Sequence, residues 1–170
     1  MRTIQILAVT FLGAILIFAS RAQAHLLVAQ NGTLTISQEG TWLAVSLPAS
    51  AFAKLDPNKD GVDETELAHG QRAVKERVRR DFRLVDIDGP LMLRDIVINL
   101  SKPHNTDATA TPLLVLGRFD ASKRPQTLRL SATIFGRSKT ERVLKLRVRS
   151  GDRTHTHELT PKRSTVRLLD

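Results

Sequence analysis

Strict two-residue alternation in the C-terminal half of the chain constrains its fold more than any other feature. Leu128, Leu130, Ala132 and Ile134 share one parity, as do Leu144, Leu146 and Val148, while Arg129, Lys145, Arg147 and Arg149 fall on the other. Successive side chains of a strand point to opposite faces, so this text predicts strands with one buried face and one basic face. Apolar or alternating runs recur at 26–29, 33–37, 42–47, 82–87, 91–100, 112–119, 127–135, 141–149, 155–159 and 165–169. Asn31-Gly32 and Glu39-Gly40 punctuate the first three, and Asn-Gly is a hairpin or bulge signal. Short strands with Gly, Pro, Asn and Asp between them predict a mainly β fold, an antiparallel Ig-like β-sandwich. The polar stretch 102–111 reads as a loop.

One segment breaks the alternation, and it defines an insertion over 48–80. Pro48 stands at a first helical position before Ala49, Ala51, Phe52 and Ala53, which predicts a short helix over 48–55. A longer helix over 64–80 carries Leu67, Gln71, Val74 and Val78 on one stripe and Arg72, Lys75, Arg77, Arg79 and Arg80 elsewhere. That pattern lays an amphipathic helix on the sheet with its basic end at the negative pole of the helix dipole.

Between the two predicted helices runs Asp56-Pro57-Asn58-Lys59-Asp60-Gly61-Val62-Asp63-Glu64-Thr65-Glu66-Leu67. Asp56, Asn58, Asp60 and Gly61 match the first half of an EF-hand loop, which spaces oxygen ligands at alternate positions and bends at a glycine. Val62 stands as the inward apolar residue and Glu66 as the closing acid, one residue early. Asp56, Asn58, Asp60, Val62 and Glu66 are therefore the candidate calcium ligands. Lys59 and the basic second helix weaken the local negative potential and point to a low-affinity site. The same residues admit a reading without an ion: Asp63 and Glu66 are spaced as a helix capping box, and Asp56-Pro57-Asn58 makes a turn unaided.

The N-terminus carries Arg2, an apolar run over 4–19 and an Ala22-Gln23-Ala24 ending, the layout of a secretory signal cleaved after Ala24. Residues 1–24 are then the signal peptide and 25–170 one domain, placed in the periplasm or outside the cell, with no later stretch apolar enough to span a membrane. Cleavage removes Arg2 and Arg21 from 26 basic side chains against 17 acidic ones, leaving a formal charge of +7. Export and an aromatic content of 4% count against nucleic acid, so an anionic envelope surface or protein is the expected neighbour.

The chain has no cysteine, which excludes disulfides, thiolate metal sites and cysteine nucleophiles. Processing would leave His25 at the terminus, where its α-amine and imidazole chelate copper(II). Candidate further ligands of that alternative copper site are His69, His104 and, above all, the pair His155 and His157, which share a strand face. Neither a Gly-x-Ser-x-Gly elbow, a phosphate-binding Gly-rich loop nor a His-Glu-x-x-His helix is present, so no enzymatic activity is expected.

Ala24-His25 at the junction, Gly40-Thr41-Trp42 opening a strand, the 56–67 loop, Leu84, and the runs 113–118 and 128–135 form a recognisable layout. It resembles the exported β-rich domain, with an EF-hand-like loop, that precedes the membrane region of bacterial hydrogenase/urease accessory-type proteins. The resemblance implies a calcium-binding structural or interaction domain, here without the membrane region.

Overall fold

The computed structural model describes residues 30–52, 54–57, 62–101, 112–120 and 127–169. The predicted strand over 26–29 lies outside these residues, as do the loop 102–111 and residues 1–24. Among the described residues ten strands form two sheets: β1 (Asn31–Ser37), β2 (Gly40–Pro48), β3 (Phe82–Asp86), β4 (Gly89–Leu91), β5 (Leu93–Leu100), β6 (Pro112–Phe119), β7 (Leu128–Ala132), β8 (Leu144–Ser150), β9 (Arg153–Leu159) and β10 (Thr165–Leu169). One sheet has six strands in the order β5-β6-β2-β1-β8-β9, and the other has four in the order β10-β7-β3-β4. One helix, α1 (Glu64–Asp81), packs against β5 and β3.

Alternation does place the core. In β8 Leu144, Leu146 and Val148 are buried while Lys145, Arg147 and Arg149 are exposed, and β7 repeats the pattern with Leu128, Leu130 and Ala132. Both sheets contribute to a single apolar cluster that also takes in Leu67, Val74 and Val78 of α1. Burying an aliphatic side chain of this kind contributes roughly 1.5–3 kcal/mol, so the shared cluster is the main force holding the sheets together.

The strand pairing departs from an all-antiparallel scheme. β1 pairs with β2 antiparallel but with β8 parallel, Leu34 opposite Val148. Asn31-Gly32 is not a hairpin turn but the start of β1; the turn is Gln38-Glu39, closed by Gly40 at φ 141°. Gly32 serves close approach instead: a Cβ there would lie 3.1 Å from Leu146 Cδ1 and 3.1 Å from Val45 Cγ2. The predicted strand over 91–100 begins two residues late, because β3 and β4 close a hairpin through Ile87-Asp88. Asp95, at φ 52°, then bulges β5 against β6. At 141–149 the first residues form a 3-10 turn, Thr140–Arg142, before β8.

The first predicted helix, 48–55, is absent. Pro48 is the last residue of β2, with φ −71° and ψ 140°, and only the 3-10 turn Ala49–Ala51 follows. Tertiary packing overrides the alanine propensity here. Phe52 and Leu55 are both buried; Leu55 Cδ1 occupies the space a Cβ at Gly70 would need, and the Arg77 guanidinium lies 5.8 Å from the Phe52 ring centroid. A second tie fixes the same turn: Ser50 Oγ donates to Glu141 Oε2 at 2.8 Å, and the Ser138 N–H donates to that oxygen at 3.1 Å. Burial raises the proton affinity of Glu141, but these donors outweigh it and hold the carboxyl below its ordinary range.

Candidate functional site

The outward face of the six-stranded sheet is the most distinctive surface among the described residues. Strand register sorts its side chains into rows. One row runs Val97, Leu116, Ala44, Thr33, Arg147, Thr156. The next runs Arg118, Trp42, Thr35, Arg149, Thr154. The face therefore mixes apolar Val97, Leu116, Ala44 and Trp42 with Arg94 and Arg118 over β5, β6 and β2, is hydroxylated over β1 and is basic over β8.

Its apolar half is open to solvent, with Val97 50%, Trp42 46% and Leu116 38% exposed. The Arg118 guanidinium lies 5.7 Å from the Trp42 ring centroid, a cation–π distance. The cations differ across the sheet. On the β5–β6 side Arg94 pairs with Asp120 at 2.6 Å and Arg118 with Asp95 at 3.3 Å. On β8 Lys145 reaches Glu158 at 3.6 Å, but Arg147 and Arg149 meet no carboxylate among the described residues. Arg149 also lines a shallow cleft of about 430 Å³ with Thr35, Ser37, Gln38 and Gly151. Two unneutralised guanidiniums beside hydroxyls and an exposed indole form a surface able to hold phosphate, sulfate or carboxylate groups.

The acidic turn is only partly described. Asn58 and Asp60 lie outside the described residues. Asp56 is half-buried, and its Oδ1 is buried without a hydrogen-bond partner among the described residues. Val62 is buried in the core. Glu66 closes the capping box: the Asp63 N–H donates to Glu66 Oε2 at 3.2 Å, and the Glu66 N–H donates to Asp63 Oδ1 at 2.7 Å. The capping role is thus present, and the Asp63 and Glu66 N–H groups at the start of α1 are satisfied. Among the described residues no three metal-ligating side chains converge.

His25 lies outside the described residues. His155 and His157 do share a face of β9, opposite Val148 and Leu146 of β8, and hence on the core side of the sheet where it reaches solvent. His157 Nε2 is buried without a hydrogen-bond partner among the described residues. Burial lowers the proton affinity of His157, and His155 and Arg163 lower it further.

Parity in the sequence already assigned the basic rows of β8 to an outward face. What it missed was the apolar strip beside them: the period of β5 shifts at the Asp95 bulge, and the aliphatic run over 113–116 hides that Leu116 points out. No protein-family model and no curated protein matches the chain. By its fold this is a mainly β protein, with two sheets and one α-helix among the described residues.

Proposed function

We propose that this chain is a non-enzymatic binding module of the cell envelope, exported by its N-terminal signal and processed after Ala24. Its two sheets face one another as an Ig-like β-sandwich, and it docks onto an anionic partner through the outward face of the larger sheet. One observation carries the reading: Arg147 and Arg149 are exposed, without carboxylate partners among the described residues, on the same sheet face as Trp42. A charge row that only solvated the protein would not need an open indole and aliphatic strip in register with it.

Co-sedimentation with phosphatidylglycerol vesicles, with phosphatidylcholine vesicles as control, tests this. Binding is expected at low salt and lost near 1 M, where the screening length falls to about 3 Å. Arg147→Gln/Arg149→Gln should remove most of it. Salt-insensitive binding, or full binding by the double variant, would refute the docking face; retention on an acidic polysaccharide but not on vesicles would identify a glycan partner.

A second reading is supported by the unpartnered Asp56 Oδ1 at the α1 entry. Here a calcium ion held by Asp56, Asn58 and Asp60, with the Val62 carbonyl and Glu66, fixes the 48–80 insertion, as the resemblance to the accessory-type domains implies. Glu66 would have to leave its bond to the Asp63 N–H to contribute. Ion binding to the folded state raises the melting midpoint by mass action. An unchanged midpoint between millimolar calcium and chelator leaves only the cap.

A further inference from the structure

Among the described residues the two sheets end in β5, β9, β10 and β4, and three of these edges are blunted. β5 is bulged at Asp95, β10 has a register irregularity between Arg167 and Leu169, and β4 is three residues long and contains Pro90. Such devices protect exposed edges against pairing with another chain. β9 has none of them. It is seven residues long, contains no proline, pairs in unbroken register with β8 and carries one arginine and one glutamate.

Its sequence is also self-complementary about Thr156. If two copies of β9 pair antiparallel across a twofold axis perpendicular to the sheet, each inner face continues into its copy. Only the register centred on Thr156 uses all seven residues. In it Arg153 stands opposite Leu159, Thr154 opposite Glu158, His155 opposite His157 and Thr156 opposite itself. No like charges face each other, which favours the register. Both His155–His157 pairs fall on one side, with opposing Cβ atoms about 4.5–5.5 Å apart and same-strand neighbours about 7 Å apart.

We propose that β9 pairs with β9 of a second copy, and that the four imidazoles so assembled bind one zinc(II) or copper(II) ion. Neutral imidazoles suit both metals, and zinc takes their nitrogens at about 2.0–2.1 Å. His157 Nε2 is among the buried side-chain atoms that find no hydrogen-bond partner within the described residues of the single chain. The pairing needs the metal: an edge about 24 Å long buries far less than the roughly 800 Å² per partner of a stable interface. This site uses neither His25 nor the outward face, so it stands apart from the function proposed above.

Sedimentation and native mass spectrometry of the untagged protein, titrated with zinc(II) and copper(II), test it. Monomer is expected in chelator, and dimer with one ion per two chains on adding metal. His155→Ala/His157→Ala should abolish the dimer. Thr156→Lys leaves every imidazole in place but opposes two cations on the other face, and should weaken the dimer about tenfold or more. Unfolding curves of each variant separate loss of pairing from loss of fold. A chain that stays monomeric at saturating metal, an ion bound one per monomer, or a metal-induced dimer that survives in the double histidine variant would each overturn the proposal.

Discussion

The two faces of the six-stranded sheet are built from alternate residues of the same strands, yet they carry different information. The inner face is almost uniformly aliphatic: Leu34, Ile36, Leu43, Val45, Leu144 and Leu146 are all buried. The outer face, one residue away along each strand, grades from Val97, Leu116 and Trp42 to Arg147 and Arg149. A mixed face with unneutralised charge adds little to stability, because exposed ion pairs and isolated surface charges contribute roughly 0–1 kcal/mol each. The inner face specifies the fold, and on the proposed reading the outer face is left for recognition.

The largest expected effects fall on the inner face. Leu146→Ala and Leu34→Ala should each destabilise the protein by about 2–5 kcal/mol in denaturant unfolding, whereas Arg147→Ala, one position on, should change it by less than about 0.5 kcal/mol. Equal losses on both faces would break the comparison. Gly136 comes next. It is buried, and a Cβ there would meet Glu141 Cβ at 2.5 Å and Pro48 Cγ at 2.7 Å. Gly136→Ala should therefore cost about 1–3 kcal/mol by overpacking and loosen the Ser50–Glu141 tie. A mild or neutral effect would show that this loop moves aside freely.

Asp63→Ala sharpens the comparison from the other direction, since it removes an exposed residue with a structural task. Loss of the capping box should cost about 0.5–2 kcal/mol, read as a lower melting midpoint with little change in vesicle binding. The smallest effect concerns His157, at the margin where the inner face meets solvent. Its folded-state proton affinity lies below the ordinary value of 6.5, so the unfolded chain takes up the proton first as pH falls. Stability should be fully present above that pH and decline as pH falls through it, and His157→Gln should flatten the decline. An unaltered pH profile in the variant would assign the dependence to another group.

Much of this architecture is legible before the structure. Period-two runs locate the buried parity of β1, β7 and β8, and the 165–169 strand has the expected bounds. The α1 stripe also holds, with Gln71 at its half-buried margin. What the sequence hides is decided by tertiary contact. The parallel β1–β8 pairing joins segments more than a hundred residues apart and leaves no local signal. Burial of Phe52 and Leu55 against α1 replaces the expected 48–55 helix with a turn. Asn31-Gly32 imitates a hairpin because the reason for Gly32 lies in Leu146 and Val45, far along the chain or across the sheet. For the candidate sites, parity made the basic rows and the histidine pair visible, but the open apolar strip required the strand register.

The chain contains one tryptophan, and it lies on the outward face. Intrinsic fluorescence therefore reports on the proposed docking surface without a label. Anionic vesicles at low salt should shift the Trp42 emission to shorter wavelength, with no shift for zwitterionic vesicles or for Arg147→Gln/Arg149→Gln. Vesicle binding that leaves the emission unchanged would place the contact elsewhere and contradict the assignment of recognition to this face.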